Sequence, residues 1–299
     1  MSKPVLFLLA AAILWSLGGV LIKSIDWTPI GIAGSRSLIA LVVIALAMPS
    51  VVQKASWRIL PGAIAYAATV FLFVVATKLT SAANAIFLQY TAPIYIAIIS
   101  PWILKERTKP LDWLLVTVAL CGIALFFVDQ LSFEGFSGVL AALGSGVSFA
   151  LLTVFMRRQR SESPEAVVLV GNFLTFLVAL PWMFPLAKME HNGIWILLLG
   201  VLQLGIPYLL YSRAIKHIRA LDAAIISTIE PILNPIWVML IWGEKASFWS
   251  IVGGGIVLGT SFLRGVLASR GQDRKNGNRI QNSEFRSQNS RITDFPPDF

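Results

Sequence analysis

The chain has 299 residues, 57% of them hydrophobic and only 13% charged, with a formal net charge of +9 and a mean hydropathy of +0.77. So little polar surface excludes a water-soluble domain, whose exterior needs far more charged and polar side chains. The single cysteine excludes an internal disulfide, and the basic excess flanks apolar runs instead of forming a face of its own, which argues against nucleic acid as a partner.

Ten apolar runs follow one another, near residues 4–23, 30–48, 59–78, 81–103, 111–128, 135–156, 164–184, 193–215, 221–242 and 248–268. At 1.5 Å per helical residue such runs match the ~30 Å hydrocarbon core of a bilayer, and they lack the alternation of a membrane barrel. The expected fold is an all-α membrane protein with ten transmembrane helices. No gap between runs has room for a soluble domain, so function must reside inside the bilayer.

The first run continues past Lys3 without a cleavage site and is read as a retained helix, with Trp15 deep inside it. The second carries Arg36, the only base well inside a span. The third and fourth hold Tyr66, Gln89, Tyr90 and Tyr95, with Pro93 and Pro101 interrupting the fourth. Cys121 sits mid-span in the fifth and is expected to pack as a small hydrophobe. Asn172 lies in the seventh run, and Tyr208 and Tyr211 share a helical face in the eighth.

Along the ninth, Ser227, Glu230, Asn234 and Trp237 recur at intervals of three, four and three, which places them on one face. A polar stripe is costly against lipid and is expected to face the bundle interior. Glu230 is the only acid well inside a span, ~13 Å from the inner end of its helix. In the tenth run Gly255 and Gly259 form a small-xxx-small pair, which close packing inside one monomer explains as well as dimerisation does, and a monomer is expected. The polar segment 271–299 has no hydrophobic period and is expected to be disordered.

Lysine and arginine alternate in abundance between successive span ends. Lys3, Lys54, Arg58, Lys105, Arg107, Lys109, Arg157, Arg158, Arg160, Arg213, Lys216, Arg219, Arg264 and Arg270 share one side, against Lys23, Lys78, Lys188 and Lys245 on the other. The positive-inside rule makes the first side cytoplasmic, with both termini there. The chain also repeats itself. At a shift of 138 residues Ala76, Lys78, Ala82, Ala85, Pro93 and Glu106 fall on Ala214, Lys216, Ala220, Ala223, Pro231 and Glu244. Five spans per repeat is an odd number, so the halves are expected to be inverted about an axis in the membrane plane, as in many secondary transporters.

The segments AAILWSLGGVLIK, IAGSRSLIAL and RALDAAIISTIEPILNPIWVMLIWGEK resemble the drug/metabolite transporter superfamily and, within it, the EamA-type exporters. The general likeness is greatest to the YddG-like exporters of aromatic and other neutral amino acids. The resemblance implies two five-helix repeats over residues 1–130 and 131–270, a tail over 271–299, and a carrier of a bacterial cytoplasmic membrane. It implies no cofactor and no enzymatic activity, amino acids as substrates, and drugs or other metabolites as the alternative cargo.

Proline frees backbone groups inside a membrane helix, so Pro93 and Pro231 are read as paired hinges lining the transport path. Trp15, Tyr66, Gln89, Tyr90, Tyr95, Asn172, Tyr208, Tyr211, Ser227, Glu230, Asn234 and Trp237 are the expected substrate-binding residues. Three roles stay open for Glu230: an ion pair with Arg36, direct binding of substrate, or proton coupling. An arginine partner would make it a poor proton carrier, which favours facilitated efflux.

Overall fold

Proline and short capping side chains set where most of the helices start. In the computed structural model Pro29 opens α3 (Pro29–Ala47) behind Thr28, whose hydroxyl accepts from the Gly31 N–H at 3.1 Å. Pro164 opens α9 (Pro164–Ala179) behind Ser163, which caps Ala166 at 3.3 Å. Pro110 opens α7 (Pro110–Phe126), where Asp112 accepts from the Lys109 N–H at 2.8 Å. Proline costs nothing at a first turn, where its missing N–H has no helical partner anyway.

The structure describes residues 1–54, 56–80, 82–128, 135–184, 189–233, 236–237 and 247–293, the side chains of 23, 54, 82, 83, 189 and 271–293 excepted. The other helices are α1 (Lys3–Trp15), α2 (Gly18–Lys23), α4 (Leu60–Leu79), α5 (Ala82–Gln89), α6 (Ala92–Ile103) and α8 (Phe136–Arg158). They continue with α10 (Met189–Leu198), α11 (Ile206–Ile215), α12 (Ala220–Ser227) and α13 (Phe248–Thr293). No strand occurs among the described residues. Among the described residues, eight helical stretches are long and apolar enough to cross a membrane. The expected fifth span is the shorter α7, and the ninth lies partly outside the described residues.

Among the described residues, three spans are interrupted by turns. The first turns at Ser16 and Leu17, between α1 and α2. The fourth turns at Tyr90 and Thr91, between α5 and α6, and the ninth turns at Thr228 and Ile229. The last two breaks coincide at the 138-residue repeat, each lying just before the repeated proline. A proline ring clashes with the carbonyl four residues earlier and offers it no N–H, so the helix yields there. A further irregularity is the π-helical segment Leu199–Gly205, which joins α10 to α11 in the eighth span.

The halves interlock. Helix α4 packs on α8 and α9, α3 on α9, α1 on α11, and α7 on α13. Two glycines make close approaches possible. A Cβ on Gly253 would lie 2.4 Å from the Phe126 backbone N, and one on Gly146 2.9 Å from the Leu88 carbonyl at the fourth-span break. Side chains such as Trp57 and Trp102, 82% and 85% exposed, point outward together with Leu46, Phe136, Ile251 and Phe262. Such a surface is at home in lipid and not in water.

Two expectations change. Gly255 and Gly259 meet no neighbour among the described residues, because the tenth span turns Gly253 instead toward α7. Cys121 is exposed on the outer side of α7 and is not packed inside. Beyond the tenth span α13 continues as a helix to Thr293.

Candidate functional site

Near the broken fourth and ninth spans lies a cavity of about 40 Å³, and five of the expected residues line it: Trp15, Gln89, Tyr90, Tyr208 and Glu230. Arg36 joins them from α3. Room of that size holds a water molecule or two, whereas small-molecule sites are usually several hundred Å³.

An aromatic cluster forms one wall. Trp15 meets Tyr208 edge-on at 5.0 Å and Tyr211 at 5.2 Å, and Tyr208 meets Tyr66 at 4.8 Å. Tyr66 and Tyr211 are fully buried behind this wall, their hydroxyls bonded at 3.1 Å to Asn172 and at 2.9 Å to Thr153. Asn172 also donates to the Val168 carbonyl at 3.0 Å, so its polar groups serve packing and do not face the cavity. Tyr95 packs against the main apolar core away from the cavity. Trp237 donates its indole N–H to Ser16 at 2.7 Å, tying the ninth span to the turn in the first. Asn234 lies outside the described residues.

The two buried charges do not form the expected ion pair. Arg36 donates to Gln203 at 3.1 Å and to the Val70 carbonyl at 3.4 Å, while Glu230 is hydrogen-bonded to Tyr90. The cause is local. The π-helical segment delivers Gln203 to the guanidinium, and the break in the fourth span delivers the Tyr90 hydroxyl to the carboxylate. Arg36 is 2% exposed, and its Nε and the Trp15 indole N–H have no hydrogen-bond partner among the described residues. The site thus holds one basic and one acidic side chain, each without a counterion among the described residues, together with orphan donors.

The Tyr90 hydroxyl also lies 3.1 Å from the carbonyl of Ser227, the residue four positions before Pro231. Each half of the repeat thereby touches the break in the other. Ser227 is fully buried and contributes that carbonyl, while its own hydroxyl has no partner among the described residues. Gln89 donates to Ser145 of α8 at 2.8 Å, which fixes the other side of the fourth-span break.

Sequence reasoning missed Gln203, Thr69, Val70, Phe73, Phe149 and Leu204, which complete the lining. Gln203 carried a readable signal, a polar amide between Gly200 and Gly205 inside an apolar run.

A second, larger cavity of about 1140 Å³ opens at one end of the bundle among charged side chains. Here Glu106, Asp112 and Asp222 are each engaged by an arginine, while Lys105, Arg107, Lys109, Arg160 and Arg270 line the same space in excess of them. Arg157 meets Glu106 at 2.8 Å and donates to the carbonyls of Ile215 and Lys216, which finish α11. Glu106 in turn accepts from the Ala220 N–H at 3.1 Å, at the start of α12. Asp112 binds Arg219 at 3.0 Å and Arg264 at 2.8 Å, and Arg264 reaches Asp222 through its Nε at 3.0 Å. Lys216 meets the buried Glu165 at 2.7 Å.

Comparison with known proteins agrees with this architecture. Residues 2–128 and 136–264 each match the model of the EamA-like transporter family. An "Uncharacterized transporter" of Archaeoglobus fulgidus is 26% identical over 64% of this chain and 69% of its own length. The "Uncharacterized transporter YwfM" of Bacillus subtilis is 27% identical over 83% of this chain and 88% of its own. Human "Solute carrier family 35 member G1" is 22% identical over 83% and 74%. A solved crystal structure superposes with a TM-score of 0.77 at 20% identity, covering 90% of this chain and 99% of that one, which speaks for the fold alone. With nearly its whole apolar length covered by two successive matches to one family model, this chain belongs to the EamA-like transporter family.

Proposed function

We propose that this membrane transporter exports small zwitterionic metabolites, aromatic and other neutral amino acids foremost, across a bacterial cytoplasmic membrane. It works as a monomer with ten spans in two inverted repeats, 1–130 and 131–270, and both termini in the cytoplasm. The observation that carries the reading is a single cavity shared by Arg36 and Glu230, which are opposite in charge and form no ion pair among the described residues, beside the Trp15 and Tyr208 rings. A carboxylate suits Arg36 Nε and the free indole N–H of Trp15, an ammonium suits Glu230, and a flat side chain suits the aromatic wall.

The present volume admits no amino acid, so binding requires the fourth and ninth spans to move about Pro93 and Pro231. That movement is the alternating access of a carrier. Uptake of labelled tryptophan and phenylalanine into proteoliposomes preloaded with unlabelled competitor tests the proposal. Saturable counterflow is the expected result. Its absence with folded protein would move the substrate to drugs or other metabolites of the superfamily, and unsaturable flux would overturn the carrier itself.

A further inference from the structure

The cavity of about 1140 Å³ at the charged end has no part in the transport reading, and its charges do not balance. Its three acids, Glu106, Asp112 and Asp222, are taken up by Arg157, Arg219 and Arg264. Lys105, Arg107, Lys109, Arg160 and Arg270 line the same space, and none of them forms an ion pair among the described residues. Arg160 lies near enough to Arg157 for the two charges to repel. An anion seated among such bases relieves the repulsion between them.

Three of the five excess bases stand on one short segment between α6 and α7, and its backbone is held in place. Lys105 turns the chain out of α6 with a φ of 57°, a left-handed conformation uncommon for a lysine. Arg219 donates to the Arg107 carbonyl at 3.0 Å, and the Thr108 hydroxyl donates to the Ala97 carbonyl at 2.7 Å. The Lys109 N–H donates to Asp112 at 2.8 Å. The ion-paired residues thus fasten the backbone of this segment and leave its cationic side chains to another partner. A segment already fixed has less freedom to lose when that partner arrives.

Depth and shape identify the partner. Trp102 and Trp113, which flank the segment on α6 and α7, are exposed, and indoles so placed in a membrane protein mark the headgroup region. Leu111 lines the cavity and shares a face of α7 with the exposed Leu114, three residues on, so the rim continues into the lipid-facing surface. Leu104, Ile218 and Leu267 add apolar lining. The space is far larger than a bare ion fills and reaches the size of a small-molecule site, about 300–1,000 Å³.

We propose that this cavity binds the phosphate headgroup of an anionic phospholipid, drawn from the leaflet on the basic side of the molecule, which is the cytoplasmic one by the positive-inside rule. Lys105, Arg107, Lys109 and Arg160 meet the charge of the headgroup, and the acyl chains leave past Leu111 along α7. The site is separate from the central cavity and independent of the substrate carried there. Its ligand bridges the two halves of the chain, because residues 105–109 belong to the first family match and Arg160 to the second.

Native mass spectrometry of the full chain in detergent, with phosphatidylglycerol or phosphatidylcholine added at equal concentration, tests the proposal. Phosphatidylglycerol should bind at least about tenfold more tightly, since the zwitterionic headgroup brings a cation of its own. Lys105→Gln, Arg107→Gln and Lys109→Gln together should abolish that preference. Arg160→Gln alone should weaken phosphatidylglycerol binding about fivefold, and it carries the test if the triple variant does not fold. Arg58→Gln, Arg158→Gln and Arg213→Gln together remove the same charge from the same side outside the cavity and should leave the preference intact. Equal binding of the two lipids, a preference that survives both cavity variants, or one lost equally in the charge-matched control overturns the proposal. Glycerol phosphate at millimolar concentration should not displace the lipid. Full displacement would make the ligand a soluble phosphate and overturn its assignment as a lipid.

Discussion

The centre of this molecule and the charged end of its bundle use the same kinds of side chain in opposite ways. At the end, Asp112, Asp222, Arg264 and Arg219 meet at bonding distance, and Arg157 joins Glu106 to the end of α11. At the centre, Arg36 and Glu230 share a cavity and make do with neutral partners. Paired side chains hold helices together and leave little of their own charge for a ligand. Unpaired charges cost stability and keep their interaction free for whatever enters.

The comparison is most sharply tested by Arg264→Met. Removing that guanidinium leaves Asp112 and Asp222 short of a partner, so a loss of about 3–5 kcal/mol in unfolding free energy is expected, followed by thermal or denaturant unfolding in detergent. At the centre, Glu230→Gln should lower amino acid counterflow at least about tenfold, about 1.4 kcal/mol in binding, and move the melting temperature little. A large drop in stability there would break the contrast. Tyr66→Phe strips Asn172 of its donor behind the aromatic wall and should cost about 1–3 kcal/mol in the same unfolding assay. Smallest is Arg58→Ala, because the Arg58–Glu162 pair is 64% and 48% exposed at its two side chains. A change under about 0.5 kcal/mol is expected there, shrinking further in salt.

Much of the fold could be read from the chain because lipid imposes simple rules. Apolar runs had to be long and helical, and Pro93 and Pro231 had to disturb whatever helix held them. Trp15, Gln89, Tyr90, Tyr208 and Glu230 were found as polar or amphipathic groups too deep for the interface. Depth alone does not reveal partners. Arg36 and Glu230 looked like a pair along the membrane normal, but the π-helical segment and the fourth-span break supplied nearer neighbours that no hydrophobic period encodes. The charged end is hidden in the chain for another reason. Arg157, Arg219 and Arg264 read as markers of orientation, and their acids sit up to about 150 residues away in the sequence.

The interlocking of the halves also sets an order for synthesis. Helices α3 and α4 emerge from the ribosome well before α8 and α9, against which they pack, and α1 waits longer still for α11. Throughout that interval Arg36 is in the bilayer before Gln203 has been made, and the inner faces of the early helices have only lipid or insertion machinery to touch. Assembly is therefore completed by the second half closing on a first half already threaded. Separately translated halves must find each other in the membrane before either has a finished core.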